Sequence, residues 1–149
     1  MLERSAGGWP ASFPSGSEIE SPFPPGGAFG LSLDVDVEGR WLVVGAPNAQ
    51  GIFHGFSGRV AVYERTPSGW SLDAILAPPP AYERELGLSY GRGVAVDGDT
   101  IAVTTRGSFP GTLFVYEHSS ASGWSESYIF TDLNPEFGDE FGSSVDVDG

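Results

Sequence analysis

Apolar and polar residues in this chain alternate over stretches of four to eight positions, and no stretch holds a helical period for long. Leu33-Asp34-Val35-Asp36 and Val94-Ala95-Val96-Asp97 each alternate as a strand with one buried face does. Turn formers follow both, Glu38-Gly39 in one place and Asp97-Gly98-Asp99 in the other, because Asp and Gly accept the tight backbone of a short reversal. Second strands are predicted over Trp41–Gly45 and Thr100–Thr104, third strands over Val60–Glu64 and Leu113–Glu117, and fourth strands over Trp70–Leu76 and Trp124–Phe130. No Gly- and Pro-free apolar window is long enough to predict a helix.

The same landmarks recur. An aromatic-Gly pair opens Phe29-Gly30-Leu31-Ser32-Leu33-Asp34-Val35-Asp36, Tyr90-Gly91-Arg92-Gly93-Val94-Ala95-Val96-Asp97 and Phe141-Gly142-Ser143-Ser144-Val145-Asp146-Val147-Asp148, at spacings of 61 and 51 residues. Gly58-Arg59-Val60-Ala61-Val62-Tyr63-Glu64 matches Gly111-Thr112-Leu113-Phe114-Val115-Tyr116-Glu117, and Gly-Trp recurs at Trp9, Trp70 and Trp124. Length variation falls between the landmarks, as loops between fixed strands require. Repetition at this period, with four antiparallel strands per unit, predicts an all-β chain built as a partial β-propeller of four-stranded antiparallel blades. Residues 1–28 are expected to be the outer strands of a preceding blade and a connecting loop. Residues 29–89 form one blade, 90–140 a second, and 141–149 the first strand of a following one. The array is then incomplete at both ends, and blade faces would expose apolar strips such as Leu42, Val44, Ile101 and Val103, so that the isolated chain associates.

Composition narrows the partners. The 149 residues carry 7 Arg, no Lys and 20 Asp plus Glu, for a net charge of −13. A phosphate backbone is held by clustered cations, so nucleic acid is excluded as a partner. There is no Cys, which excludes disulfides and thiolate metal sites without deciding the compartment. No stretch approaches the ~20 apolar residues of a membrane-spanning helix, so membrane insertion is not expected, and Met1-Leu2-Glu3-Arg4 lacks the basic start of a signal peptide. The acidity with no Lys also fits a surface kept soluble in high salt, against the alternative of a coding bias that replaces Lys with Arg.

Phe29-Gly30 followed by Leu42-Val43-Val44-Gly45-Ala46-Pro47 resembles the FG-GAP repeat of integrin-α-like β-propellers, in its bacterial form. The second repeat departs from it, with Tyr90 for Phe and Thr104-Thr105-Arg106 for Gly-Ala-Pro. The resemblance implies a propeller of several blades on a bacterial cell surface or in an exported, extracellular protein, with a role in adhesion. It also places calcium sites of the family between the first and second strands, where this chain has Asp34, Asp36 and Glu38. Alternate carboxylates before a Gly suit a hard cation, but Leu42 stands where a closing Asp would fall and the loop is short. No metal and no other cofactor is therefore expected.

Structural roles account for most landmarks. Leu33, Val35, Val94, Val96, Val145 and Val147 are expected to face a neighbouring blade, Trp70 and Trp124 to cover blade edges, and Gly30, Gly91 and Gly142 to take positive φ or close approach. His118 is expected to be exposed at a strand end. Binding candidates lie in the inter-strand loops: Phe53, His54 and Phe56 in the longest loop, and Arg106 in its counterpart. No Ser lies in a nucleophile elbow, and two His with no ordered partners make no triad, so the chain is not expected to be an enzyme. It reads as a non-catalytic interaction module presenting loops to a protein or glycan partner, alongside the remaining blades of its propeller. Two alternatives stand beside that: a propeller scaffold of a larger hydrolytic enzyme, and a purely structural spacer.

Overall fold

The computed structural model describes residues 18–51, 55–84, 87–105, 111–136 and 139–148. They form two four-stranded antiparallel sheets in simple up-and-down order. The first contains β1 (Ser32–Val35), β2 (Trp41–Ala46), β3 (Arg59–Thr66) and β4 (Gly69–Leu76); the second contains β5 (Gly93–Asp97), β6 (Thr100–Thr104), β7 (Thr112–Ser119) and β8 (Gly123–Thr131). A single turn of helix, α1 (Pro80–Glu83), lies in the connection between them. All eight strands fall where alternation and turn chemistry predict them. Among the described residues no helix is long and apolar enough to cross a membrane.

The repeats are equivalent in register. Ser32 pairs with Gly45 in the first sheet, and Gly93 with Thr104 in the second. Each third-to-fourth strand ladder slips at the same place, between Val62 and Tyr63 and between Val115 and Tyr116. The aromatic-Gly glycines share one backbone conformation, with φ of 88° at Gly30, 85° at Gly91 and 84° at Gly142, a region that L side chains enter only with strain.

The sheets pack face to face across one core. Trp41, Val43, Val60, Val62 and Leu76 of the first meet Val94, Val96, Ile101, Val103, Phe114 and Tyr116 of the second, with Leu88 and Tyr90 of the connection in the same cluster. A second cluster on the far side of the first sheet holds Leu42, Val44, Ala61 and Tyr63, covered by Ile19, Phe23, Phe29 and Trp70.

One expectation is corrected here. Leu42, Val44, Ile101 and Val103 are not exposed strips but are 6%, 5%, 0% and 0% accessible, because the first sheet covers Ile101 and Val103 and residues 19–29 cover Leu42 and Val44. Leu33 and Val35 do not reach the second sheet and remain 61% and 39% exposed. Strand alternation instead turns Ser32 and Asp34 toward it, where each bonds the second sheet's first strand or its lead-in. Residues 143–148 follow a turn and have no ladder partner among the described residues.

Candidate functional site

At one end of the sheets the β2–β3 connection rises from Ala46 and returns at Arg59. Its base is a closed mesh: Ala49 N–H donates to the Ala46 carbonyl (2.9 Å), Gly58 N–H to the Ala49 carbonyl (3.0 Å), and Gly51 N–H to the Gly55 carbonyl (2.7 Å). Asn48 N–H donates to the Gly27 carbonyl (3.0 Å), tying the loop to the segment before β1. Phe56 stands on this loop 66% exposed. Phe53, His54 and Arg106 lie outside the described residues.

Beneath the loop is a buried ion pair. Arg59 Nη2 lies 2.5 Å from Glu83 Oε1, with side-chain exposures of 10% and 3%. Arg59 Nη1 also donates to Ser57 Oγ (3.1 Å) and to the Gly58 carbonyl (2.7 Å). The guanidinium thus joins three elements: the end of the loop, the start of β3 and α1. The second Glu83 oxygen is buried without a hydrogen-bond partner. Single-repeat reasoning missed this pair, although the repeat alignment carried a signal, since Arg59 stands where the second unit has Thr112.

The opposite end holds the hairpin turns and the carboxylates that sequence singled out. Asp36 is buried and Oδ1 accepts from Trp41 N–H at 2.7 Å, while its carbonyl accepts from Gly39 N–H, so it closes the first hairpin. Asp34 accepts from Val35 N–H at 2.9 Å and, through its other oxygen, from Val96 N–H of β5 at 2.8 Å. Glu38 is exposed and lines an open cleft of about 510 Å³ with Arg40, Arg65 and Trp70. The structure therefore assigns Asp34 and Asp36 to backbone donors and does not bring them together with Glu38. Among the described residues no three of His, Asp and Glu converge where they could hold a metal ion.

His118, expected to be exposed, is instead wedged at the seam between the sheets. Its ring centroid is 4.9 Å from Trp41 and 5.1 Å from Trp124, and the two indoles are themselves 5.1 Å apart. His118 Nδ1 lies 3.4 Å from Asp99 Oδ1, which also takes Arg40 at 3.6 Å. Arg40 in turn stacks over Trp41 at 4.5 Å. At the centre of the core Tyr90 OH donates to Tyr116 OH (2.7 Å), and Tyr116 OH to the Ala77 carbonyl (3.3 Å). Burial drives both phenols up, Tyr116 to about 12 and Tyr90 well above the ordinary value. Both stay neutral at physiological pH and serve as fixed hydrogen-bonding groups.

The arrangement offers a loop base held by backbone hydrogen bonds, an exposed Phe56, and two carboxylates, Asp34 and Asp36, committed to backbone N–H groups. No protein-family model matches the chain, and no curated protein matches it.

Proposed function

We propose that the chain is a non-catalytic interaction module, a segment of an FG-GAP-type propeller whose β2–β3 loop meets a protein or glycan partner outside the cell. The observation that carries this is the contrast within one loop. Its base is fixed by backbone bonds and the buried Arg59–Glu83 pair, while Phe56 stands 66% exposed. A large apolar side chain held in water on a rigid support is what a recognition loop presents, since binding residues concentrate on loops positioned by a scaffold. The propeller reading is supported by the matched register of the two sheets, their face-to-face stacking and the three aromatic-Gly landmarks. The extracellular placement rests on the motif resemblance alone.

The test is a binding screen of the full chain against arrayed glycans and immobilised extracellular-matrix proteins, repeated with Phe56→Ser. Saturable binding that falls at least tenfold in the variant, at an unchanged melting temperature, supports the reading. Equal binding by the variant removes the loop from the interface. Turnover of a glycoside or ester substrate by the purified chain would overturn the non-catalytic assignment.

A further inference from the structure

The buried Glu83 carboxylate is only half used. Oε1 is taken by Arg59, while Oε2 lies out of water with no hydrogen-bond partner among the described residues. A polar atom in that position has lost its hydration without replacement, at a cost that is larger for a charged group than for a neutral one. Such atoms are rare in folded chains, and a bound molecule is one way they are satisfied. The repeat itself does not call for the pair. Thr112 stands in the second unit where Arg59 stands in the first, and Asn134 stands seven residues before Phe141 as Glu83 stands seven before Tyr90. Further repeats at either end of the array would leave the site as it is, because α1 joins two sheets already packed on each other.

Charge decides what Oε2 can take. Arg59 already neutralises Glu83, so an ammonium group or a metal ion on the second oxygen would leave a net positive charge buried, which is costly. A carboxylate only accepts, so the group that completes it is a neutral donor, and a hydroxyl is the smallest that a ligand carries. The chain is exposed on both sides of the pair. Phe56, 66% exposed, adjoins Ser57, whose Oγ takes the same guanidinium at 3.1 Å, and exposed Arg84 follows Glu83. An aromatic face in water beside a carboxylate acceptor matches a pyranose, which has an apolar C–H face and hydroxyls around its edge.

We propose that Glu83 Oε2 accepts a hydrogen bond from one hydroxyl of a neutral glycan whose ring lies on Phe56; this rests on the β2–β3 loop being the recognition surface and selects glycan over protein as its partner. Arg59 is then a positioning residue, which holds Oε1 and so fixes the direction in which Oε2 accepts. Because Oε2 is out of water in the free chain, the hydroxyl reaches it through a local opening beside the ion pair. A net charge of −13 disfavours sialylated or sulfated glycans, whose own negative charge it repels.

The test titrates the full unmodified chain with the methyl glycosides of mannose, galactose and glucose by saturation-transfer NMR. Each glycoside that binds is followed by its monodeoxy and monofluoro analogues, a series that needs no variant to fold. At one ring position, loss of the hydroxyl lowers affinity at least tenfold. Fluorine at that position lowers it as far, since fluorine cannot donate to a carboxylate. Arg59→Thr with Glu83→Leu removes both charges together. That double variant melts in one transition, binds the parent glycoside at least tenfold more weakly and no longer prefers it over the deoxy analogue. Phe56→Ser weakens binding but keeps the preference. A fluoro analogue that binds as well as its parent, a preference that survives the double variant, or a water that stays on Oε2 in a crystal of the complex overturns the proposal. Binding by none of the three glycosides also overturns it, while saturable binding to immobilised matrix proteins would then leave the interaction-module reading standing.

Discussion

One cross-strand position shows how a single residue sets the spacing between the sheets. In the first unit a hydroxyl on the first strand, Ser32, faces Gly45; in the second the glycine, Gly93, is on the first strand and the hydroxyl, Thr104, on the second. Each hydroxyl donates to the carbonyl of the next aromatic-Gly glycine, and a Cβ at Gly45 would overlap both the Gly91 carbonyl and Ser32 Oγ. One hydroxyl and one glycine are needed, and the strand that carries each is interchangeable. Ser32→Ala should cost about 1 kcal/mol, the net value of one intramolecular hydrogen bond, here partly buried. Gly45→Thr alone should cost more, roughly 2–3 kcal/mol, because it overpacks a closed contact. The exchanged pair Ser32→Gly with Gly45→Thr, which copies the second unit, should recover most of that loss in urea unfolding. Additive destabilisation by the two changes would show that the positions do not share one contact.

The paired phenols make a second prediction at this scale. Burial pushes the Tyr116 phenol up to about 12 and holds the Tyr90 phenol well above the 10.0 of a phenol in solution. A folded-state pKa above the unfolded one means that the native chain holds its protons more tightly. That stabilisation is complete below pH 10 and is lost as pH rises through 12. Stability should therefore fall from about pH 10 upward, with tyrosinate absorbance at 295 nm from these residues appearing together with loss of the β-sheet circular dichroism signal. Ionisation of both phenols in a chain that stays folded would contradict the burial assigned to them.

At the scale of elements, the eight strands were legible because alternation, Gly/Asp turns and repetition all pointed the same way. What sequence could not supply was which face of each strand meets which neighbour. Alternation alone does not say which side of the first strand meets the second sheet: strand parity turns Leu33 and Val35 away from it and gives that side to Ser32 and Asp34, whose bonds to the second sheet compensate their burial. Of the candidate site, Phe56 was found from its loop, but Arg59–Glu83 was not, since the pair joins residues 24 positions apart through a one-turn helix too short to leave a periodic signal. That pair yields a sharp expectation. Removing one partner of a buried ion pair leaves the other charge uncompensated, at about 3–5 kcal/mol, so Glu83→Ala should lower stability by roughly that amount and loosen the 47–58 loop in hydrogen exchange. Arg59→Thr combined with Glu83→Leu imitates the second unit, where Thr112 replaces the arginine, and should cost far less than either single removal. Equal loss in the double variant would mean that the ion pair itself, and not the avoidance of a lone charge, holds the connection.

For the molecule as a whole, the shared core makes the two sheets one cooperative unit, because the same cluster takes residues from both and neither face can open without exposing the other. Over that unit lies a net charge of −13, whose self-repulsion opposes the compact state. The favourable pairs on the surface do little to offset it: Arg40 with Glu64 and Asp99 spans 3.4 and 3.6 Å at exposures of 46%, 42% and 62%, a setting in which ion pairs contribute little. Salt thus weakens few stabilising contacts while it screens many repulsive ones, and the Arg59–Glu83 pair is shielded by burial. The melting temperature should rise from low ionic strength to molar KCl by about 5 °C, the shift that ~1–2 kcal/mol produces in a domain of this size, and the transition should stay single. Most of the rise should arrive below about 0.3 M, where the Debye length has already fallen beneath the spacing of surface charges. A rise continuing steeply to several molar would mark a surface adapted to high salt, and a flat response throughout would show that the acidity neither strains the fold nor serves it.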